Sequence, residues 1–92
     1  MTYEDEIKPY RGKINQLNDQ ILDLIKARII VALNIGKIKR KYGKPIVDKQ
    51  REEAVIEQVR RLAVAREVAP DAVERIFREL IKACVEAEES ND

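Results

Sequence analysis

The chain has 92 residues, of which 45% are hydrophobic and 38% are charged, a composition too apolar for a disordered tail and too charged for a membrane span. This length suits one small domain, so we expect a single domain over residues 1–92. The 18 Lys and Arg residues nearly cancel the 17 Asp and Glu residues, and a formal charge of +1 gives no global field to attract nucleic acid or a membrane.

Several catalytic classes need residue types that this chain lacks. It has no His and a single Cys, Cys84, so we expect no metal site, no intramolecular disulfide and no His-dependent hydrolase chemistry. The acidic start, from Met1 to Glu6, does not match the basic and then apolar run of a secretory signal. We therefore predict a cytoplasmic protein without a metal or other cofactor.

The segment before Gly43 carries the longest regular pattern in the chain. Its apolar positions are spaced by three and four residues without a slip, as on one face of an α-helix. This pattern predicts one long amphipathic helix over about residues 4–42. The positions on this face are Ile7, Tyr10, Ile14, Leu17, Ile21, Leu24, Arg28, Val31, Ile35, Ile38 and Tyr42.

Two shorter helices are predicted in the second half. Asp48 is a suitable N-cap for a helix over about residues 49–66, and Pro70 suits the first turn of another over about 70–89. We expect the tail from Glu86 to Asp92 to fray at its end. The apolar stripes of these helices are Val55, Ile56, Val59, Leu62 and Ala63, and Val73, Ile76, Phe77, Leu80, Ile81, Cys84 and Val85.

The unequal helix lengths predict how the chain assembles. A helix over residues 4–42 is on the order of 55 Å long, about twice the length of either later helix. Two short helices cannot cover its apolar face, and the uncovered part would be a larger exposed patch than monomers usually tolerate. We therefore predict an all-α fold of one long and two shorter helices in an intertwined homodimer. The competing interpretation is a monomeric three-helix bundle with a first helix bent at Gly36.

Four charged residues interrupt the apolar stripes. Arg28 takes a position where a guanidinium is costly to bury unless an anion meets it, and Lys39, eleven residues on, points roughly the same way. Glu52 and Glu88 lie on the inward faces of the second and third helices. Together these four residues predict a polar pocket in a helical bundle, and its basic groups predict an anionic ligand.

Each charged feature also has an ordinary structural interpretation. A lone Arg often extends out of a bundle to solvent, and a Glu near a helix end often lies in solvent. The basic run between Lys37 and Lys44 is an alternative nucleic-acid patch, but it lacks interleaved aromatic residues. Cys84 lies on an apolar stripe with no His to activate it, which favours packing over nucleophilic catalysis. We expect neither a nucleic-acid nor a membrane partner.

The sequence resembles the all-helical class of chorismate mutase over nearly its whole length. This resemblance implies a homodimer of intertwined three-helix chains with two active sites, and an isomerase that converts chorismate to prephenate in the shikimate pathway to phenylalanine and tyrosine. The matching segments are Tyr10-Arg11-Gly12-Lys13-Ile14, Ile25-Lys26-Ala27-Arg28, Ile35-Gly36-Lys37-Ile38-Lys39, the run from Pro45 to Glu53, and Ile76-Phe77 leading to Cys84 and Glu88.

The resemblance also implies roles for individual residues. Arg28 and Lys39 would bind the substrate carboxylates and the ether oxygen, together with Arg11 from the partner chain. Arg11 and Arg28 are seventeen residues apart, about 25 Å along one helix and on different sides of it, so one chain cannot place both on one small molecule. Asp48 and Glu52 would hold the substrate hydroxyl.

Further implied roles concern the supporting residues. Arg51 would support the carboxylate cluster, and the cavity walls would be Ile35, Ile81 and Val85. Two positions depart from the commonest pattern of the family. Cys84 stands where many members carry a Ser, and Glu88 stands where many carry a Gln. A carboxylate beside the ether oxygen would repel it, so Glu88 helps only when it is protonated.

The predicted reaction suits the residues present. It is one concerted pericyclic step that needs no nucleophile, no metal and no proton transfer, only a compact substrate conformation and fixed positive charge. Two alternatives remain open. One is an isochorismate-pyruvate lyase on the same fold, and the other is a non-catalytic helical dimer that binds a partner or nucleic acid through the basic run.

Overall fold

Three α-helices form the fold of this chain. The structure is a computed structural model that describes residues 1–90. It contains α1 over Tyr3–Lys41, α2 over Lys49–Ala65 and α3 over Pro70–Ser90, and no strand occurs within residues 1–90. The predicted all-α class with one long and two shorter helices is therefore confirmed.

Local sequence signals account for both ends of α1. Thr2 is the N-cap, and it forms a reciprocal capping box with Asp5, whose backbone N–H donates to Thr2 Oγ1 over 3.2 Å. After the C-cap Tyr42, Gly43 adopts a positive φ of 65°, which glycine tolerates without strain. Pro9 lies inside α1, although its backbone has no N–H to donate to the carbonyl one turn earlier. The helix nevertheless continues through it.

The other two helices begin at the predicted residues. Asp48 caps α2, because its Oδ1 accepts from the backbone N–H of Arg51 over 3.0 Å. α3 starts at Pro70, where a missing N–H costs nothing. α3 remains helical to Ser90, and the last two residues of the tail predicted to fray, Asn91 and Asp92, lie outside the described residues.

α3 lies between the other two helices and packs against both. The small core of mostly short apolar side chains consists of Ala32, Ile56, Val59, Ala63 and Cys84. α2 and α3 are also joined by an ion-pair network, in which Arg60 contacts Asp71 and Glu74 and Arg78 contacts Glu74 and Glu53. Within residues 1–90, α1 and α2 do not pack directly on each other, which leaves a space between them.

α1 is one continuous helix, and the longest dimension of the molecule is 62 Å. At 1.5 Å per residue a straight helix of this length spans about 58 Å, so the structure does not contain the bend at Gly36 that the monomeric alternative requires. On its apolar face, five large side chains are between 50% and 71% exposed; they are Tyr10, Ile14, Leu17, Ile21 and Leu24. None of the three described helices is long and apolar enough to cross a membrane.

Candidate active site

The space between α1 and α2 is a cavity of about 470 Å³, closed on a third side by α3. This volume suits a small organic molecule. Its lining combines a mostly aliphatic wall with six charged side chains. The lining residues are Arg28, Val31, Ala32, Ile35 and Lys39 from α1, Ile46 and Asp48 from the loop, Arg51, Glu52 and Val55 from α2, and Ile81, Cys84, Val85 and Glu88 from α3.

Arg28 brings a cation into the cavity from the middle of α1. Its side chain is half-buried, and Nη1 donates a hydrogen bond to Sγ of Cys84 over 3.0 Å. A thiol sulphur is only a weak acceptor, and within residues 1–90 no carboxylate lies close enough to Arg28 for an ion pair. Most of the donor capacity of this guanidinium is thus available to a ligand.

Lys39 brings a second cation, three helical turns further along the same face of α1. Its Nζ donates to the backbone carbonyl of Ile46 over 2.6 Å and lies 3.5 Å from Oε2 of Glu88. An ammonium group has three donors, so one remains for a ligand. The first contact also ties the loop between α1 and α2 to α1, which holds the ammonium in place when no ligand is bound.

Glu88 is the one buried charged residue within the described chain, with 6% of its surface exposed. It approaches α1 closely at Gly36, where a Cβ would lie 3.2 Å from Glu88 Cγ and 3.3 Å from Glu88 Cβ. Its backbone carbonyl accepts from Nη1 of Arg40 over 3.0 Å. Three positions on one face of α1 therefore surround Glu88.

The N-terminal end of α2 supplies the polar far side of the cavity. Asp48 directs one carboxylate oxygen into the helix cap, and Arg51 and Glu52 follow in the first turn. Glu52 has a side chain that is 20% exposed, and one of its oxygens lies 3.7 Å from Nζ of Lys49. A helix N-terminus with free amide groups and a nearby guanidinium favours a bound anion.

The structure brings together seven of the eight residues that the sequence singled out for substrate binding. Arg28, Lys39, Asp48, Arg51, Glu52, Cys84 and Glu88 all line the cavity, and so do the wall residues Ile35, Ile81 and Val85. Arg11 does not. It lies near the start of α1, exposed, with Nη1 3.1 Å from Oε2 of Glu4.

Sequence reasoning missed two contributors to this site. Gly36 was considered as a possible bend and as part of a segment that matches the family, and Arg40 only as part of a basic run, so neither was assigned to the site. The available signal was their spacing, since Gly36, Lys39 and Arg40 occupy the i, i+3 and i+4 positions of one helix face. The partner residue on α3 is 48 positions later in the chain than Arg40, a pairing that spacing cannot predict.

The chemistry of the cavity is that of an anion-binding site, in which the one thiol has no His to activate it as a nucleophile. It contains three cations and three carboxylates, a free thiol and no His. Across residues 1–90 there is no group of three or more His, Cys, Asp and Glu side chains arranged to hold a metal ion. Such a site can bind a small molecule that carries carboxylates and hydroxyl groups, and it can stabilise negative charge that develops on an oxygen.

Comparisons with known proteins agree on one family. The family model described as chorismate mutase type II matches residues 10–89. A chorismate mutase of Methanocaldococcus jannaschii is 31% identical over 78 residues, which cover 85% of this chain and 79% of the relative. A bifunctional chorismate mutase/prephenate dehydratase of Aquifex aeolicus is 37% identical over 87 residues, which cover 91% of this chain.

A third relative, the T-protein of Enterobacter agglomerans, is 30% identical over 77 residues, which cover 84% of this chain. The matched region is 24% of the length of the Aquifex protein and 21% of the Enterobacter protein. The chain thus spans less than a quarter of these two longer relatives, but most of the archaeal one.

Proposed function

The chain belongs to the chorismate mutase type II family, and from that premise we propose that it catalyses the rearrangement of chorismate to prephenate. This isomerase reaction stands in the shikimate pathway, on the route to phenylalanine and tyrosine. It requires neither a metal nor a cofactor. We also place the reaction in the cytoplasm, where a reducing environment suits the free thiol of Cys84.

The observation that carries this proposal is the convergence of charged side chains from all three helices on one cavity. Arg28 and Lys39 come from α1, Arg51 and Glu52 from α2, and Glu88 from α3. Chorismate carries two carboxylates, a hydroxyl and an ether oxygen, so it needs both cations and hydrogen-bonding groups around it. A non-catalytic helical dimer has no need for such groups at this position, because buried charge is costly without a ligand.

We propose that the active species is a homodimer in which Arg11 of a second copy completes each site. Two observations support this. The apolar face of α1 is half or more exposed from Tyr10 to Leu24, and only a partner of similar length covers such a face. The cavity also has as many carboxylates as cations, so a fourth cation improves its match to a dianion.

In the proposed mechanism the protein supplies geometry and charge. Arg28 binds a substrate carboxylate with its planar fork, and Arg51 supports the carboxylate cluster. Glu52 accepts the hydrogen bond of the substrate hydroxyl, and the backbone N–H of Asp48 donates to the oxygen of the same hydroxyl. These contacts hold the flexible substrate in the compact conformation that brings the two carbon atoms of the new bond together.

The ether C–O bond breaks as the new C–C bond forms within the same molecule, so no atom is exchanged with the protein. Negative charge builds on the ether oxygen during this step. Lys39 stabilises that charge with its ammonium group, and Glu88, when protonated, donates a hydrogen bond to the same oxygen. Both groups act more strongly on the transition state than on the bound substrate, which raises the rate constant kcat.

Product identity is the direct test of this proposal. The purified protein is incubated with chorismate and, separately, with isochorismate, and ultraviolet absorbance and chromatography follow the products. Prephenate from chorismate supports the mutase. Salicylate plus pyruvate from isochorismate, without prephenate, makes the chain an isochorismate-pyruvate lyase. No turnover of either substrate, together with strongly salt-dependent binding to nucleic acid, favours the non-catalytic alternative.

A further inference from the structure

Glu88 contacts α1 through its backbone as well as through its side chain. Nη1 of Arg40 donates to the Glu88 carbonyl over 3.0 Å, while Nζ of Lys39 lies 3.5 Å from the Glu88 carboxylate. The two cations are neighbours in sequence, yet they hold different ends of the same residue. The backbone contact therefore fixes the position of the Glu88 main chain, and the side-chain contact fixes the orientation of its carboxylate.

Glu88 lies in the last turn of α3 that the structure describes, since α3 is described over Pro70–Ser90. Two backbone carbonyls of this turn accept hydrogen bonds from side chains: that of Glu88 from Arg40, and that of Ala87 from the Ser90 hydroxyl over 3.1 Å. Within residues 1–90 this turn contains no basic residue of its own, so Arg40 of α1 brings a positive charge to these carbonyls.

Gly36 sets the distance between Glu88 and α1. A Cβ at this position would lie 3.2 Å from Glu88 Cγ, closer than ordinary van der Waals contact, so any larger residue would push the Glu88 side chain away from α1 by a few tenths of an ångström. Arg40 comes one turn after Gly36, on the same face. Gly36 leaves room for the Glu88 side chain, and Arg40 binds the Glu88 backbone carbonyl.

From this arrangement we propose that Arg40 is a positioning residue, which acts through the Glu88 backbone to keep the Glu88 carboxyl group beside Lys39 in the reacting site. This inference rests on the proposed function and extends it to a residue outside the cavity, since Arg40 is not among the cavity-lining residues. Without Arg40 the last turn of α3 opens more often, and Glu88 leaves its place for part of the time.

The test compares Arg40→Gln and Arg40→Lys with Lys37→Gln, an exposed cation one turn earlier on α1 with no hydrogen bond or ion pair within residues 1–90. The first readout is amide hydrogen exchange in the last turn of α3, measured by NMR on the intact protein. Arg40→Gln should speed this exchange by about tenfold or more, the factor expected from the loss of a charge-assisted hydrogen bond. Lys37→Gln should not change it.

The second readout is catalysis. Arg40→Gln should lower kcat several-fold with little change in KM, because Glu88 acts on charge that develops only in the transition state. Arg40→Lys, which keeps a cationic donor, should restore part of the loss. In a Glu88→Ala background Arg40→Gln should cost nothing further, whereas a merely structural role would lower activity by the same factor in both backgrounds.

Gly36→Ala should displace the Glu88 side chain in a second way. Gly12→Ala is its control, since a Cβ at Gly12 meets nothing within 4 Å. Gly36→Ala should reproduce the kcat loss of Arg40→Gln without loosening the end of α3. Unchanged amide exchange in Arg40→Gln, or additive losses with Glu88→Ala, would overturn this inference even in an active mutase. A parent protein without mutase turnover removes the proposed function, and the exchange experiment still decides whether Arg40 holds Glu88.

Discussion

Nη1 of Arg28 donates to Sγ of Cys84 over 3.0 Å, so a cation near the middle of α1 is held by a weak, uncharged acceptor on α3. The thiol orients the guanidinium without neutralising it. This differs from Arg60 of α2 and Arg78 of α3, each of which contacts two carboxylates. Arg28 therefore keeps hydrogen-bond donors for a ligand, whereas Arg60 and Arg78 join α2 to α3.

Arg28→Leu should therefore abolish turnover without destabilising the protein. Removal of a half-buried cation that has no ion-pair partner should leave the free energy of unfolding unchanged or raise it by about 1 kcal/mol. Urea denaturation at a fixed protein concentration measures this, with Arg61→Leu, an exposed arginine of α2, as the control. A variant that unfolds at much lower urea but still binds substrate would make Arg28 a structural residue.

Arg11→Ala and Arg28→Ala should each inactivate the enzyme, but a mixture of the two should recover activity. If each site combines Arg28 of one chain with Arg11 of the other, a heterodimer of the two variants keeps one intact site. Random reassortment makes half of the dimers heterodimers, so recovery should approach about a quarter of the parent activity. The variants are refolded together with different tags, and both the mixture and the purified heterodimer are assayed; the heterodimer, with one of two sites intact, should have about half of the parent activity. An inactive heterodimer would contradict the shared site.

Glu88→Gln should keep at least the parent kcat/KM, whereas Glu88→Ala should lower it. An amide donates a hydrogen bond to the ether oxygen, whereas a carboxylate has no proton to donate and repels the charge that develops there. The charged groups around Glu88 are Lys39 at its carboxylate, Arg40 at its backbone, and Arg28, Asp48, Arg51 and Glu52 across the cavity.

The measurement for this prediction is kcat/KM of each variant at one fixed pH, with circular dichroism as a check on folding. Glu86→Gln, an exposed Glu half a turn earlier on α3, is the control and should match the parent. If Glu88→Ala is as active as the parent, Glu88 is not the group that acts on the ether oxygen.

The ion-pair network between α2 and α3 should make stability depend on acid pH. Hydrogen bonds from Arg78, and secondly from Arg60, hold the pKa of Glu74 below its ordinary value of 4.5. Because the folded-state pKa is the lower one, the stabilisation is present above pH 4.5 and is lost as the pH falls through the folded-state pKa. The contribution of Glu74 to the free energy of unfolding is modest, since its side chain is 27% exposed and screened by solvent.

Glu74→Gln should lower Tm by a few degrees at pH 7 and should flatten the fall of Tm below pH 4.5. Glu79→Gln, an exposed Glu on the same helix, should leave both unchanged. Differential scanning calorimetry over this pH range measures the effect. Parallel acid profiles for the parent and Glu74→Gln would mean that the ionisation of Glu74 is not the source of the acid dependence.

Much of the fold could be predicted from local sequence. α1 begins and ends within one residue of the predicted bounds, and the α2 start at the Asp48 cap and the α3 start at Pro70 match the prediction. These features depend on residues within one or two turns of each other, so periodicity, caps and proline suffice to locate them. The same periodicity identified the charged residues on inward faces, because a polar side chain in an apolar stripe is visible without a structure.

Contacts between distant residues were decided only by the tertiary structure. The Lys39 bond to the Ile46 carbonyl depends on how the loop folds back, and the Arg40 bond to the Glu88 carbonyl depends on where α3 ends against α1. Neither follows from residue type, because any backbone carbonyl is an acceptor and its position depends on packing. The sequence by itself determined three helices and the charges on their faces, and the position of α3 between α1 and α2 determined which of those charges share a cavity.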